Sequence, residues 1–361
     1  MGSGASRWLI TTPILHHSNT PFYIMKLLVG ISSNLKVLGG LYLGWGIGAN
    51  DSANIFGTAV ATRIVPYRLA TILVAIFVII GSMVQGPGQF EHIDFSGVPG
   101  DTTETAALIA TVAAAITVTI ITYLAIPSST SQAAIGGMMG IAIASAGFSG
   151  VHWNKFLGML FCWLINPIMS AVVCIILLKV LGRLINRFVK SAVGRDRVCK
   201  IGLIVFGCYG AYALGANNVV VTTSVYFHAG VFGSLSTPES MLKAARIAAA
   251  LGGVAIAIGA LTYSRKVMTT VGVKITPLYP FSALVAVLTA GVALDFFTRF
   301  NIPVSSSQAI VGALIGVSIH DRGGIGNIRE LLKIFTGWLL TPFAACLGAM
   351  GIAWLAHVLM H

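Results

Sequence analysis

One stretch concentrates the residues able to do chemistry inside a membrane: Gly48-Ala49-Asn50-Asp51-Ser52-Ala53-Asn54-Ile55-Phe56-Gly57-Thr58. It lies midway along an apolar run from about residue 35 to residue 63, long enough to cross a bilayer. A carboxylate at the centre of a span costs roughly 2.5–3.5 kcal/mol on insertion scales, so Asp51 reads as functional. The plainer alternative is a polar contact between two helices. The glycines favour a broken helix that unwinds near Gly48 and turns carbonyls toward a cation, with Asp51 as counter-charge. Asn54 lies one turn beyond Asn50, on the same face. A weaker copy follows at Gly215-Ala216-Asn217-Asn218-Val219-Val220-Val221-Thr222. Asn50, Asp51, Asn54, Asn217 and Asn218 offer oxygens that suit a hard cation such as sodium, with Thr222 a further candidate.

A second pair of polar stretches opens with proline: Pro127-Ser128-Ser129-Thr130-Ser131-Gln132 and Pro303-Val304-Ser305-Ser306-Ser307-Gln308. Each reads as a helix start, with a Ser cap and small residues behind it. The N–H groups and dipole of such a start favour anions. Two starts facing each other would form a cage for a small tetrahedral oxyanion, lined by Ser129, Thr130, Ser131 and Gln132 and by Ser305, Ser306, Ser307 and Gln308. The competing role for these serines is helix capping alone. Asp295 stands four residues before Arg299, which makes a surface ion pair and a second cation ligand equal readings. Asn166 and Thr341 precede matched prolines and read as groups that satisfy a kinked helix.

These clusters need long apolar elements to hold them. The chain has 361 residues, 56% hydrophobic and 9% charged, with mean hydropathy +0.90. That composition belongs to an all-α polytopic membrane protein. Ten apolar segments can be read: 35–63, 68–86, 105–126, 131–148, 153–181, 198–231, 241–264, 279–298, 307–319 and 331–359. The ninth is short enough for a half-helix or a re-entrant element. The net charge of +12 comes from basic residues lying in loops, so it speaks of topology rather than of nucleic acid. The five cysteines have no metal-ligand spacing. Nothing pairs a nucleophile with a base, so an enzyme is the least favoured class. No cofactor is expected, and sodium enters as a co-transported ion.

The clusters repeat in order. Gly48-Ala49-Asn50 aligns with Gly215-Ala216-Asn217, Ser129 to Ala133 with Ser305 to Ala309, and Trp163 to Pro167 with Trp338 to Pro342. The offsets are 167, 176 and 175. The chain therefore reads as an N-terminal extension (1–34), a first repeat (35–181), a cytoplasmic basic linker (182–200) and a second repeat (201–361). Five segments per repeat is an odd number, which inverts the second copy in the membrane and brings all four clusters to the midplane as broken helices and helical hairpins. With both termini outside, fifteen of the 22 basic residues fall on cytoplasmic loops. The acidic loop 87–104 falls outside. Arg7, Lys26 and Lys36 are exceptions.

With these motifs in place, the sequence resembles the inorganic phosphate transporter (PiT) family from about Leu35 onward. That family carries a GAND-x-AN-x-x-GT signature, matched in full by Gly48 to Thr58, and a similar signature in its second half. It also carries Pro-Val-Ser-Thr-Thr-His-like stretches, here Pro127 to Gln132 and Pro303 to Gln308. The resemblance implies inverted repeats, cation-coupled phosphate uptake across the cell membrane, and a homodimer. The chain departs from the pattern at Asn218, where Asp is usual, at Val221, where Asn is expected, and at Gln132 and Gln308, where many members have His. The preferred reading is a sodium-coupled phosphate symporter. The alternatives are a sulfate permease of the same family, a proton-coupled phosphate symporter and, in another class, an anion channel. Phosphate near neutral pH carries a proton it can donate to a carboxylate, whereas sulfate carries none, so Asp51 favours phosphate.

Overall fold

The computed structural model describes residues 33–91, 103–124, 128–274 and 278–358. The extension up to residue 32, most of the acidic loop and Pro127 lie outside these ranges. Ten long helices occur among the described residues, one for each apolar segment: α1 (Leu38–Ala61), α2 (Tyr67–Val84), α3 (Thr103–Tyr123), α4 (Thr130–Ala146), α5 (Trp153–Phe188), α6 (Ala192–His228), α7 (Pro238–Tyr263), α8 (Pro280–Arg299), α9 (Ser306–Arg322) and α10 (Ile328–Val358). Eight of the helices are long and apolar enough to cross a membrane. The other two, α1 and α9, carry polar clusters.

Burial sorts the helices. Every residue of α1 from Gly46 to Ala59, and of α6 from Ala213 to Phe227, is buried. A helix enclosed on all faces is a core element, so α1 and α6 form the axis of the molecule. By contrast, only 22% of the most apolar window of α5 and of α10 is buried. Their rows of exposed large side chains, including Phe161, Leu164 and Ile168 on α5 and Leu339, Phe343 and Leu347 on α10, suit acyl chains.

The two repeats interlock. A Cβ placed on Gly48 of α1 would lie 1.8 Å from the Ile256 carbonyl oxygen of α7. The matched contact sets Gly215 of α6 at 2.1 Å from the Val78 carbonyl oxygen of α2. In the same way Gly136 of α4 meets Pro342 of α10, and Gly312 of α9 meets Pro167 of α5, with the Cβ 2.2 Å from the carbonyl oxygen in both. These four contacts pair up at residues matched by the sequence offsets.

These contacts correct one sequence expectation. Neither Gly-Ala-Asn stretch is unwound, because α1 and α6 run through both without a break. The glycines serve close backbone approach instead. Unwinding there would strand N–H and C=O groups inside apolar protein, with no water to pair them. The breaks lie at the proline-serine stretches. Residues 300–305 are non-helical between α8 and α9, with Val304 and Ser305 buried, and α9 starts inside the protein. The basic stretch 182–200 is mostly helical too, interrupted only at 189–191. At 1.5 Å per residue, the 36-residue α5 is about 54 Å long, well beyond a hydrocarbon core of about 30 Å.

Candidate functional site

The site forms where α1 and α6 pass the starts of α4 and α9. The two helix starts match. Ser129 Oγ accepts from the Gln132 amide at 3.3 Å, and Ser305 Oγ accepts from the Gln308 amide at 3.3 Å. Both serines have extended backbone at the cap, with φ −96° and −82°. Capping is therefore one established task of Ser129 and Ser305, worth about 1 kcal/mol each.

The next residues reach the central helices. Thr130 Oγ1 donates to Asp51 Oδ2 at 2.7 Å. Asn218 Nδ2 donates to the same oxygen at 3.1 Å. Asn54 Nδ2 donates to Ser306 Oγ at 2.9 Å and lies 3.5 Å from Asp51 Oδ1. Ser131 Oγ lies 3.3 Å from Asn218 Oδ1 and 3.2 Å from the Val304 carbonyl, while Ser305 and Ser307 share a 2.9 Å hydroxyl contact. The residues expected to hold a cation and those expected to hold an anion thus form one continuous cluster. Asp51 belongs to the first repeat, Asn218 to the second, and each meets serine or threonine from the first repeat's helix start.

Asn50 and Asn217 sit one residue earlier and anchor the cluster. Asn50 Nδ2 donates to Thr122 Oγ1 at 3.0 Å, and Asn217 Nδ2 donates to Thr298 Oγ1 at 2.9 Å. Asn217 Oδ1 also accepts from the Val304 amide at 3.3 Å, tying α6 to the second break. Sequence reading missed Thr122 and Thr298. Their separation of 176 residues, the offset of the serine stretches, was the available signal.

Other candidates fall elsewhere. Asp295 accepts from Arg299 Nε at 3.0 Å, Tyr209 OH at 3.1 Å and Gln85 Nε2 at 3.3 Å, and none of these groups belongs to the Asp51 cluster. The matched position in the first repeat repeats the motif without charge, Thr119 Oγ1 donating to Tyr42 OH at 2.9 Å. Thr222 bonds back to the Val219 carbonyl of its own helix at 2.6 Å. Thr341 does the same to Gly337 at 2.6 Å, as expected of a group in a proline-bearing helix. Asn166 does not. It donates to the Ser305 carbonyl at 2.9 Å and so fastens α5 to the start of α9.

The electrostatics single out Asp51. It is 1% exposed and accepts only from neutral groups: Thr130, Asn218, Asn54 and Ser306. Among the described residues, the other two buried carboxylate or amine side chains are paired, Lys36 with Glu104 at 3.1 Å and Asp295 with Arg299. Asn54 Oδ1 is buried with no hydrogen-bond partner among the described residues. A carboxylate and a spare amide oxygen three residues apart form an oxygen-rich place for a hard cation.

Comparison with known proteins gives a consistent result. The pattern of the phosphate transporter family matches residues 47–349. A putative phosphate permease of Methanocaldococcus jannaschii is 30% identical over 322 residues, spanning 88% of this chain and 95% of that protein. A probable low-affinity inorganic phosphate transporter of Bacillus subtilis is 29% identical over 308 residues, spanning 84% and 91%. Among solved structures, one described as the sodium-dependent phosphate transporter superposes with a TM-score of 0.72, covering 92% of this chain and 98% of that one. At 20% identity that likeness concerns the fold.

Proposed function

The chain belongs to the phosphate transporter family, and on that footing we propose that it moves inorganic phosphate into the cell in symport with sodium, by alternating access around Asp51. The observation that carries the reading is the buried carboxylate served only by neutral donors. An ionised carboxylate without a cationic partner is costly to bury, and a co-transported cation supplies that partner. Sodium is held by Asp51 and Asn54, with Asn50, Asn217 and Asn218 fixing their positions. The sodium dependence of the protein that shares this fold supports the assignment.

Phosphate is held at the paired helix starts, where amides and hydroxyls bind an oxyanion without a buried Lys or Arg. Thr130 and Ser306 link the two ions, since each touches the cation cluster from a helix start. Coupling follows from charge. An anion entering against a negative interior is opposed by about 2.3 kcal/mol per charge per 100 mV, and accompanying sodium ions offset that cost.

Calorimetry at saturating sodium tests the cage. Ser129→Ala and Ser305→Ala should each weaken phosphate binding about ten- to a hundredfold, the value of one hydrogen bond to a charged ligand. Wild-type affinity in both variants would leave these serines as caps and contradict a two-sided cage.

The same proposal includes the topology. An odd number of spans per repeat supports inverted copies with both termini outside, in the cell membrane. Lys36, an exception to the charge rule, is paired with Glu104. Cys199 is buried and unsuited to labelling, so Arg195, which is exposed beside it, is the better reporter. In a chain freed of native cysteines, Arg195→Cys should resist an impermeant thiol reagent in intact cells and react after permeabilisation. Labelling from outside would reverse the orientation. A homodimer, with a second copy covering part of the apolar α5 or α10 face, belongs to the proposal as well.

A further inference from the structure

Four of the buried polar atoms that have no hydrogen-bond partner among the described residues recur at matched positions of the two halves: Nε1 of Trp163 and of Trp338, and Oε1 of Gln132 and of Gln308. The four side chains are only 2, 5, 5 and 3% exposed. Leaving such groups unpaired is expensive, which makes a repeated instance informative.

Helix register groups them into two equivalent pairs. Gly312 lies against Pro167 and Gly316 against Ala171, so α9 and α5 run parallel in contact. One turn earlier on each helix, Gln308 comes level with Trp163. In the other half Gly136 lies against Pro342 and Gly140 against Cys346, which brings Gln132 level with Trp338. Asn166 follows Trp163 by three residues, on the same face, and donates to the Ser305 carbonyl at the start of the helix that carries Gln308. Each level thus holds one N–H donor and one C=O acceptor beside a proposed oxyanion-binding helix start.

We infer that Trp163 with Gln308, and Trp338 with Gln132, read the protonation state of the bound oxyanion. The indole N–H donates to an ionised oxygen, and the amide oxygen accepts from a P–OH group. This rests on the phosphate reading above and adds the basis of selectivity to it. Dihydrogen phosphate satisfies both acceptors, hydrogen phosphate satisfies one, and sulfate satisfies neither. A site built to accept a hydrogen bond rejects an analogue that lacks the proton, because its buried acceptor is then left unpaired.

The test is calorimetry with phosphate and with sulfate, at saturating sodium, on the purified wild-type chain and on Trp163→Phe, Trp338→Phe, Gln132→Met and Gln308→Met. Each Trp→Phe change should weaken both anions, phosphate by about ten- to a hundredfold, while sodium affinity without anion stays at the wild-type value. Each Gln→Met change should weaken phosphate and spare sulfate, narrowing the ratio of the two affinities. A lowered melting temperature with unchanged phosphate affinity in the tryptophan variants would make the indoles packing groups and overturn the inference. So would Gln→Met variants that weaken both anions equally, since the amide would then be donating, or that weaken sodium alone. If a tryptophan variant does not purify folded, the glutamine variants read the same pairs. A wild-type chain that binds no phosphate would instead refute the site reading, a separate outcome.

Discussion

Asp51→Asn should reduce sodium-driven phosphate uptake by about ten- to a hundredfold while leaving the chain folded. The substitution keeps the side-chain shape and an oxygen able to accept from Thr130 Oγ1, now 2.7 Å from Oδ2. It removes the one buried charge in the described structure that lacks an ion-pair partner. An interaction with a charged group is worth about 1.5–3 kcal/mol, and a co-transported cation that binds Asp51 loses it in the variant. Stability should hold or rise, because burying an amide is cheaper than burying an anion. Flux into proteoliposomes and thermal unfolding of the same preparation check both halves. Wild-type sodium-driven uptake by the folded variant would remove Asp51 from the cation site.

Gly48→Ala should cost most of the folded protein, and Gly215→Ala should do the same. The added methyl would sit 1.8 Å from the Ile256 carbonyl oxygen in the first case and 2.1 Å from the Val78 carbonyl oxygen in the second. Backbone atoms on a packed helix cannot turn aside as a side chain can, so α7 or α2 must move away. Overpacking of an ordinary core costs about 1–3 kcal/mol, and here the obstacle is main chain on the axis of the molecule, which puts the cost at the upper end or beyond. Gly158→Ala is the control. It lies on the exposed face of α5 with nothing within 4 Å of the new methyl, and alanine is the better helix former by about 0.8–1 kcal/mol. Monodisperse yield and melting temperature in detergent should fall sharply for the first two and hold for the third. Equal stability of all three would mean that the glycines are not there for close approach.

The contrast between these glycines and their sequence reading shows what the sequence could and could not yield. Hydropathy located all ten long helices, because spans must be apolar and long. The offsets between repeats located the four clusters and their pairing, and Ser129 and Ser305 cap helices as the Pro-Ser pattern implies. The same glycine pattern serves both an unwound helix and a tight helix crossing, and only the neighbour decides. Once the backbone of α7 lies on Gly48, no room remains for unwinding. Partners distant in sequence were equally hidden. Nothing around Asn166 announces the Ser305 carbonyl, and nothing around Asn50 announces Thr122. Asp295 could be read two ways because an i, i+4 partner and a pocket position look alike in one dimension. The structure gives it Arg299 together with Tyr209 and Gln85.

The central claim is that one cluster couples sodium to phosphate. Its most direct test is uptake of labelled phosphate into proteoliposomes holding the purified chain, with and without an inward sodium gradient, and with excess sulfate as competitor. The account predicts accumulation that requires the sodium gradient, is lost with Asp51→Asn and resists sulfate. Uptake indifferent to sodium, or displaced by sulfate as readily as by unlabelled phosphate, would contradict it.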